Sequence, residues 1–226
     1  MSRGTGTCGS GPAAIMVNFI VDKTKQNKYS VYMVRTREFD PTTALTSAMQ
    51  VFASRGYSNT SIDDVVNATG VSRYSLYGTF GNKRELFEQA LEKYTEHMGK
   101  ATFMKMLEPD SSVEQIRATF DERIAHMFEN EEKNGCLVVH TAMELAPRDK
   151  DIEIVLNRLL KRMSNAYCVC LEHSRERGEV KEGLDPKQAG QFLTGAFFGL
   201  SVMARCGFSR ELLNDYVDST IAAVAR

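Results

Sequence analysis

The sequence predicts an all-α protein, in which an N-terminal three-helix unit leads into a larger helical bundle. Three observations carry this. From Phe39 onward apolar residues recur at the three- and four-residue spacing of amphipathic helices. Helix-start signals recur along the chain at Asp40-Pro41, Ser61, Ser72, Asn82, Ser112, Asp185-Pro186 and Ser209. No alternating apolar–polar run of useful length marks a strand.

The first predicted helix opens at Asp40, carries Ala44, Leu45, Ala48, Val51 and Phe52 on one face, and ends at Gly56. Ser61 and Asp64 have the spacing of a capping box. The helix they open carries Ile62, Val65, Val66 and Ala68 and stops at Gly70, a residue that tolerates a left-handed C-terminal turn. Ser72 caps a second short helix, and Asn82 with Glu85 sets up a third. Two short helices joined across a glycine form a helix-turn-helix, whose second helix enters the major groove of DNA. Here that helix turns Ser72, Arg73, Tyr74, Ser75, Tyr77 and Thr79 outward and leaves Val71, Leu76 and Phe80 to pack. Hydroxyls, arginine and tyrosines bond phosphate oxygens and base edges. Lys83 and Arg84 follow at a helix start, where free N–H groups favour an anion. From Val71 to Arg84 there are three basic residues and no acid. Each residue alone reads as part of a solvated polar face; the set, clustered after a capped turn, favours contact with double-stranded DNA.

On these residues the chain resembles the TetR/AcrR family of transcriptional regulators. The run Ala-Met-Gln-Val-Phe-Ala-Ser-Arg-Gly-Tyr (48–57), Thr60-Ser61-Ile62, Gly70-Val71-Ser72, Leu76-Tyr77 and Phe80-Gly-Asn-Lys-Arg-Glu-Leu-Phe87 lie in the family's order between Phe39 and Tyr94. The resemblance implies that Tyr77 and Lys83 hold the phosphate backbone and that Arg73, Tyr74 and Ser75 lie nearest the bases, with Ser61, Ser72 and Thr79 in the same contact set. Many members have a tyrosine and a histidine where Gly78 and Thr79 stand, so base preference does not carry over; this helix resembles a subgroup written Ser-Leu-Tyr-Gly-Thr-Phe. The implied protein is a cytoplasmic, homodimeric regulator, a repressor released from a near-palindromic operator by a small molecule. An activator or dual regulator of the same fold is the alternative, and a helical-bundle enzyme or carrier a remoter one.

Global composition fits such a regulator. The chain has 226 residues, 25% charged and 42% hydrophobic, with a net charge of −1. Near-neutrality argues against a protein that coats nucleic acid through bulk charge, yet permits a local basic footprint. Asp63, Asp64, Glu85, Glu88, Glu92 and Glu96 offset the basic residues nearby, so binding away from the operator should be modest and strongly salt-sensitive. Cys8, Cys136, Cys168, Cys170 and Cys206 are odd in number and lack a CxxC pair, which points to a reducing compartment. Neither the cysteines nor His97, His126, His140 and His173 make a metal-type pair beyond His140–Glu144, four apart, and no catalytic, phosphate-loop or dinucleotide motif appears. No catalytic residue, metal or cofactor is therefore expected.

Three regions follow: a disordered extension or upstream start over 1–32, a helix-turn-helix domain over 33–84, and an effector-binding and dimerisation domain over 85–226. Residues 1–32 lack a convincing signal-peptide pattern. Met33 looks like a native start of such regulators, and Lys23, Lys25, Lys28, Arg35 and Arg37 could form a basic arm. After Asn82 the helical pattern runs toward Leu107, weakened at Gly99, and breaks at 108–112. Ser112 and Gln115 open a helix with Val113, Ile116, Phe120, Ile124 and Met127 on one face. The segment Cys136–Ala146 is apolar nearly all round, as in a helix surrounded by others. By resemblance it is a central helix of the ligand domain, often opening Gly-Cys-Leu, with asparagine common where His140 stands. Cys136 at a helix start could be a sensor thiol, though a small buried hydrophobe is the plainer reading. A long helix spans about Asp149 to Arg177.

The expected effector residues are Phe120, Cys136, His140, Met143, Met163 and Tyr167, a set suited to an apolar ligand with one polar handle. The last two helices, opened by Asp185-Pro186 and Ser209, offer Phe192, Ala196, Leu200, Leu213, Tyr216 and Val217 as a dimer surface; packing within one protomer is the competing reading. The uncharged run from Ala189 to Ala204 is too short to cross a bilayer, so no membrane partner is expected.

Overall fold

The computed structural model describes residues 39–129 and 136–226. The expectations for 1–32, the start at Met33 and the basic arm lie outside the described residues. Within them run α1 (Pro41–Arg55), α2 (Ile62–Thr69), α3 (Arg73–Phe80), α4 (Lys83–Met98), α5 (Val113–Glu129), α6 (Leu137–Glu144), α7 (Lys150–Glu176), α8 (Pro186–Arg205) and α9 (Arg210–Val224). Extended pairing among the described residues is limited to one antiparallel bridge, Val180 with Ala225. The all-α prediction holds.

Local chemistry sets the boundaries. The Asp40 carboxylate accepts from the Thr42 and Thr43 amides at 3.1 and 3.0 Å and so starts α1. At α2, Ser61 Oγ accepts from the Asp64 amide at 3.1 Å while Asp64 accepts from the Ser61 amide at 2.7 Å. Gly70, at φ +67°, closes α2 in the left-handed region. Ser72 accepts from the Ser75 amide at 3.2 Å, and Asn82 and Glu85 complete a second capping box at α4. The predicted box at Ser112 forms only by half: Gln115 Oε1 accepts from the Ser112 amide at 2.8 Å and from its hydroxyl at 2.6 Å. Regular helix α4 ends at Met98, where Gly99–Phe103 widens into a π turn followed by a 3-10 turn over Lys105–Leu107. Gly99 thus marks the end of the α geometry, short of Leu107.

Packing divides into two layers. In the first, Phe52 of α1 meets Phe87 of α4 edge-on, with ring centroids 5.2 Å apart, and Tyr57 lies 4.8 Å from Phe87. Leu76 and Phe80 bury the inner face of α3 against this core. In the second, Phe120 of α5 packs between Tyr167 of α7 and Phe197 of α8, at 6.2 and 5.7 Å. Helices α7 and α8 approach so closely at Gly190 that a Cβ there would lie 2.5 Å from the Ser164 carbonyl oxygen.

Three polar contacts tie the layers together. Glu144, at the end of α6, accepts from the Ser58 amide at 2.9 Å. Arg205 donates to the Ser54 carbonyl at 3.2 Å, and Arg84 pairs with Asp149 at 2.6 Å. His140 Nδ1 lies 3.7 Å from Glu144, while its Nε2 is buried with no partner. Burial and the charge of Arg205 lower the His140 pKa, and Glu144 opposes them.

Two expectations follow. Gly190→Ala should destabilise the protein by about 1–3 kcal/mol through overpacking, although alanine is ordinarily the better helix former. Gly195→Ala, where a Cβ meets nothing within 4 Å, should instead be neutral or stabilise by up to about 1 kcal/mol; urea unfolding at fixed protein concentration compares them. For His140, a pKa held below the ordinary value of 6.5 makes the neutral ring the favoured folded form. Its stability contribution is therefore present above about pH 6.5 and is lost as pH falls through the lowered folded value. The loss of Tm between about pH 7.5 and pH 5.5 should shrink in His140→Gln.

Candidate nucleic-acid interface

Helices α2 and α3, joined across Gly70-Val71-Ser72, present the N-terminal half of α3 to solvent. Val71, Leu76 and Phe80 are buried, so the α3 backbone is fixed from behind. Ser72, Arg73, Tyr74 and Tyr77 are exposed, Tyr74 by 81%, while Ser75 and Thr79 are half-buried. Ser75 is engaged with the Ser72 hydroxyl at 3.0 Å, and Ser61 with Asp64 at 2.6 Å, so both hydroxyls already serve helix caps. Gly78 leaves open space beside Tyr77 and Thr79.

Charge on this surface is arranged by acids that the sequence placed nearby, Asp63 and Glu88, and by partners that it did not single out, Tyr57, Glu144 and Asp149. Arg73 pairs with Asp63 of α2 at 2.5 Å, and this carboxylate raises the guanidinium pKa. Both groups are exposed, so the bridge contributes little to stability and is free to exchange for a phosphate or base edge. Lys83 is half-buried, with Nζ 4.3 Å from the centre of the Tyr57 ring. Burial lowers its pKa, while Glu144 and Asp64 pull it back up. Arg84 is held by Glu88 at 2.7 Å and by Asp149.

In the second layer a groove of about 980 Å³ opens between α6, α7 and α8, walled by Val139, Met143, Leu160, Ser164, Gly195 and Phe198 among others. Of the expected effector residues, Met143 lines it and is 78% exposed. Phe120, Met163 and Tyr167 are fully buried core instead, and burial drives the Tyr167 phenol pKa up. His140 turns to Glu144. Cys136 is buried beneath Tyr94, whose hydroxyl lies 3.7 Å from its sulfur. Beside them Arg123 donates to Ser201 at 3.0 Å and leaves Nε buried without a partner. The groove was not legible because small and polar residues, such as Ser164, Gly195 and Gly199, form much of its wall.

The expected dimer residues also separate. Ala196, Leu200, Leu213 and Val217 are interior to this chain, because α8 and α9 use those faces against α5 and α7. Phe192 is 49% exposed, and Tyr216 is half-buried with its hydroxyl donating to the Ala196 carbonyl at 3.4 Å. Val202 and Leu212, outside the expected set, are exposed as well. Among the described residues no cluster of histidine, cysteine and acidic side chains could hold a metal, and no helix is long and apolar enough to cross a membrane.

Comparison with known proteins accounts for both layers. Residues 44–90 match the family model of bacterial regulatory proteins of the tetR family, and residues 112–217 match the tetracyclin repressor-like C-terminal domain. The chain is 30% identical over 193 residues to the HTH-type transcriptional regulator YezE of Bacillus subtilis, covering 85% of this chain and 100% of that protein. It is 30% identical over 188 residues to the HTH-type transcriptional repressor ComR of Escherichia coli, covering 83% and 90%. A cysteine variant of the TetR family regulator CifR, solved with a 26-bp operator duplex, superposes with a TM-score of 0.73 at 29% identity, covering 84% of this chain and 99% of that one. With a capped helix-turn-helix on one layer and a matching C-terminal bundle on the other, the chain belongs to the TetR family of transcriptional regulators.

Proposed function

We propose that the protein is a repressor that binds a near-palindromic operator as a homodimer and is released by a small, largely apolar molecule. The observation that carries the reading is the exposed edge of α3, where Arg73, Tyr74 and Tyr77 project from a helix whose other face is locked into the core. Arg73, Tyr74 and Ser75 are proposed nearest the bases. Tyr77, Lys83, Ser61, Ser72 and Thr79 are proposed toward the phosphates, where hydroxyls and cations position a duplex. Residues 33–84 then act as the reading head and 85–226 as the effector and dimer region, in the cytoplasm. Two reading heads give a two-fold operator.

The effector is proposed to occupy the α6–α7–α8 groove, whose volume of about 980 Å³ suits a small molecule. Met143 is the expected effector residue that supports this. Phe192 and Leu212 supply the exposed apolar part of a dimer face on α8 and α9, with the half-buried Tyr216 beside them on α9. A ligand acts here only through its differential affinity for the two arrangements of the reading heads. The ComR relative, named as a repressor, favours repression over activation, and CifR, solved with operator DNA, supports the DNA partner; a reporter fusion in a deletion strain separates repression from activation.

Fluorescence anisotropy with the DNA upstream of its own gene, beside a scrambled duplex at two salt concentrations, tests the reading. Specific binding about a thousandfold or more tighter than to the scrambled duplex is expected. Arg73→Ala should weaken operator binding about ten- to a hundredfold with folding intact, and Asp63→Asn, which frees Arg73, should tighten binding at low salt. Unchanged binding in Arg73→Ala would remove α3 from the reading role. Cys136→Ser should leave the effector response intact if the thiol is only a buried hydrophobe, and abolish it if Cys136 is a covalent sensor.

A further inference from the structure

The link between Glu144 and Ser58 joins residues 86 positions apart, across the two layers. The carboxylate sits where the DNA-binding layer has been left open for it: a Cβ on Gly56 would fall 1.9 Å from Glu144 Oε1. Only glycine at this position leaves room for the side chain. The carboxylate therefore clamps the α1–α2 turn at its backbone. That turn carries Tyr57, which packs on Phe87 and supports the Lys83 ammonium on its ring face. Glu144 also contributes negative charge to the surroundings of Lys83. Its side chain is only 20% exposed, while Ser58 stands at the surface, so the carboxylate reaches out from the bundle to a solvent-facing amide.

The helix that carries Glu144 has a second occupation. Val138, Val139, Ala142 and Met143 of α6 form one wall of the groove. Eight residues thus place the clamp and the groove wall on one rigid element. A shift of α6 driven from the groove moves the carboxylate relative to Ser58.

We propose that Glu144 is a positioning residue for operator binding, holding the Tyr57–Lys83 unit in place from the effector layer, and that occupation of the groove weakens operator binding by withdrawing it. This rests on the regulator reading above. Cross-layer contacts at Arg205–Ser54 and Arg84–Asp149 do not involve α6, so they stay in place when the clamp opens.

The test uses the full chain and three variants. Glu144→Ala removes the acceptor, Glu144→Gln keeps an acceptor oxygen without the charge, and Asn165→Trp fills the groove from α7, where Asn165 is exposed. Operator affinity is read by anisotropy, and exchange of the Ser58 amide by NMR. Glu144→Ala should lose about tenfold in operator affinity, the size of one charge-assisted hydrogen bond. Its Ser58 amide should exchange faster, while Glu144→Gln stays within about threefold of the parent on both readouts. Asn165→Trp should weaken operator binding in the parent and add little in the Glu144→Ala background, a non-additivity that a merely structural clamp would not produce. If Glu144→Ala matches the parent in affinity and exchange, or if the Asn165→Trp effect adds in full, the inference is overturned while the regulator reading stands. If the parent itself does not distinguish operator from scrambled DNA, the regulator reading fails and the inference with it.

Discussion

The edge-on packing of Phe87 against Phe52, with Tyr57 closing the third side, is the contact on which the rest of the molecule depends. It fixes α1 to α4, and α3 is seated on the core so formed. Helix α4 then carries that seating out of the DNA-binding layer. Lys93 ties its middle back to α1 through the Thr42 carbonyl at 3.0 Å, and Tyr94, one residue on, reaches Cys136 of α6. The direction in which Arg73 and Tyr74 point is thus set by where α4 lies in the bundle.

Much of the first layer was legible in the sequence because it is written in local chemistry. A cap at Ser61 or Asn82 involves residues three apart, and a left-handed stop at Gly70 needs nothing beyond its own backbone freedom. The second layer is written in contacts between distant residues, and there the pattern was ambiguous. Apolar periodicity in α8 and α9 marks a face to be covered without saying what covers it. Leu200 and Val217 are covered by the same chain, whereas Phe192 is left open. In the groove walls apolar residues such as Leu156 and Leu160 alternate with small and polar ones such as Ser164 and Gly195, so the periodic signal there reads as ordinary core. The clamp at Glu144 was equally silent, since its partner is a backbone amide and its space is made by a glycine in another layer.

Electrostatics at the exposed edge of α3 are restrained. Arg73 carries its own counter-charge in Asp63, and Lys83 is half-buried against an aromatic ring, so little free positive charge stands ready for any passing phosphate. Such a surface gains from DNA only when geometry lets a phosphate or base replace the internal partner. The same economy explains a chain of net charge −1 acting on a polyanion: discrimination is favoured over bulk attraction.

The close approach at Gly190 has a mechanical meaning. With the α8 backbone resting against the Ser164 carbonyl of α7, these two helices have no cushion of side chains between them at that point. On the other side of the groove lies α6, which is only eight residues long and lacks a side-chain cap at its start. The groove therefore has one wall pinned backbone to backbone and one wall held by side chains alone, through Leu137, Val138 and Thr141 of α6.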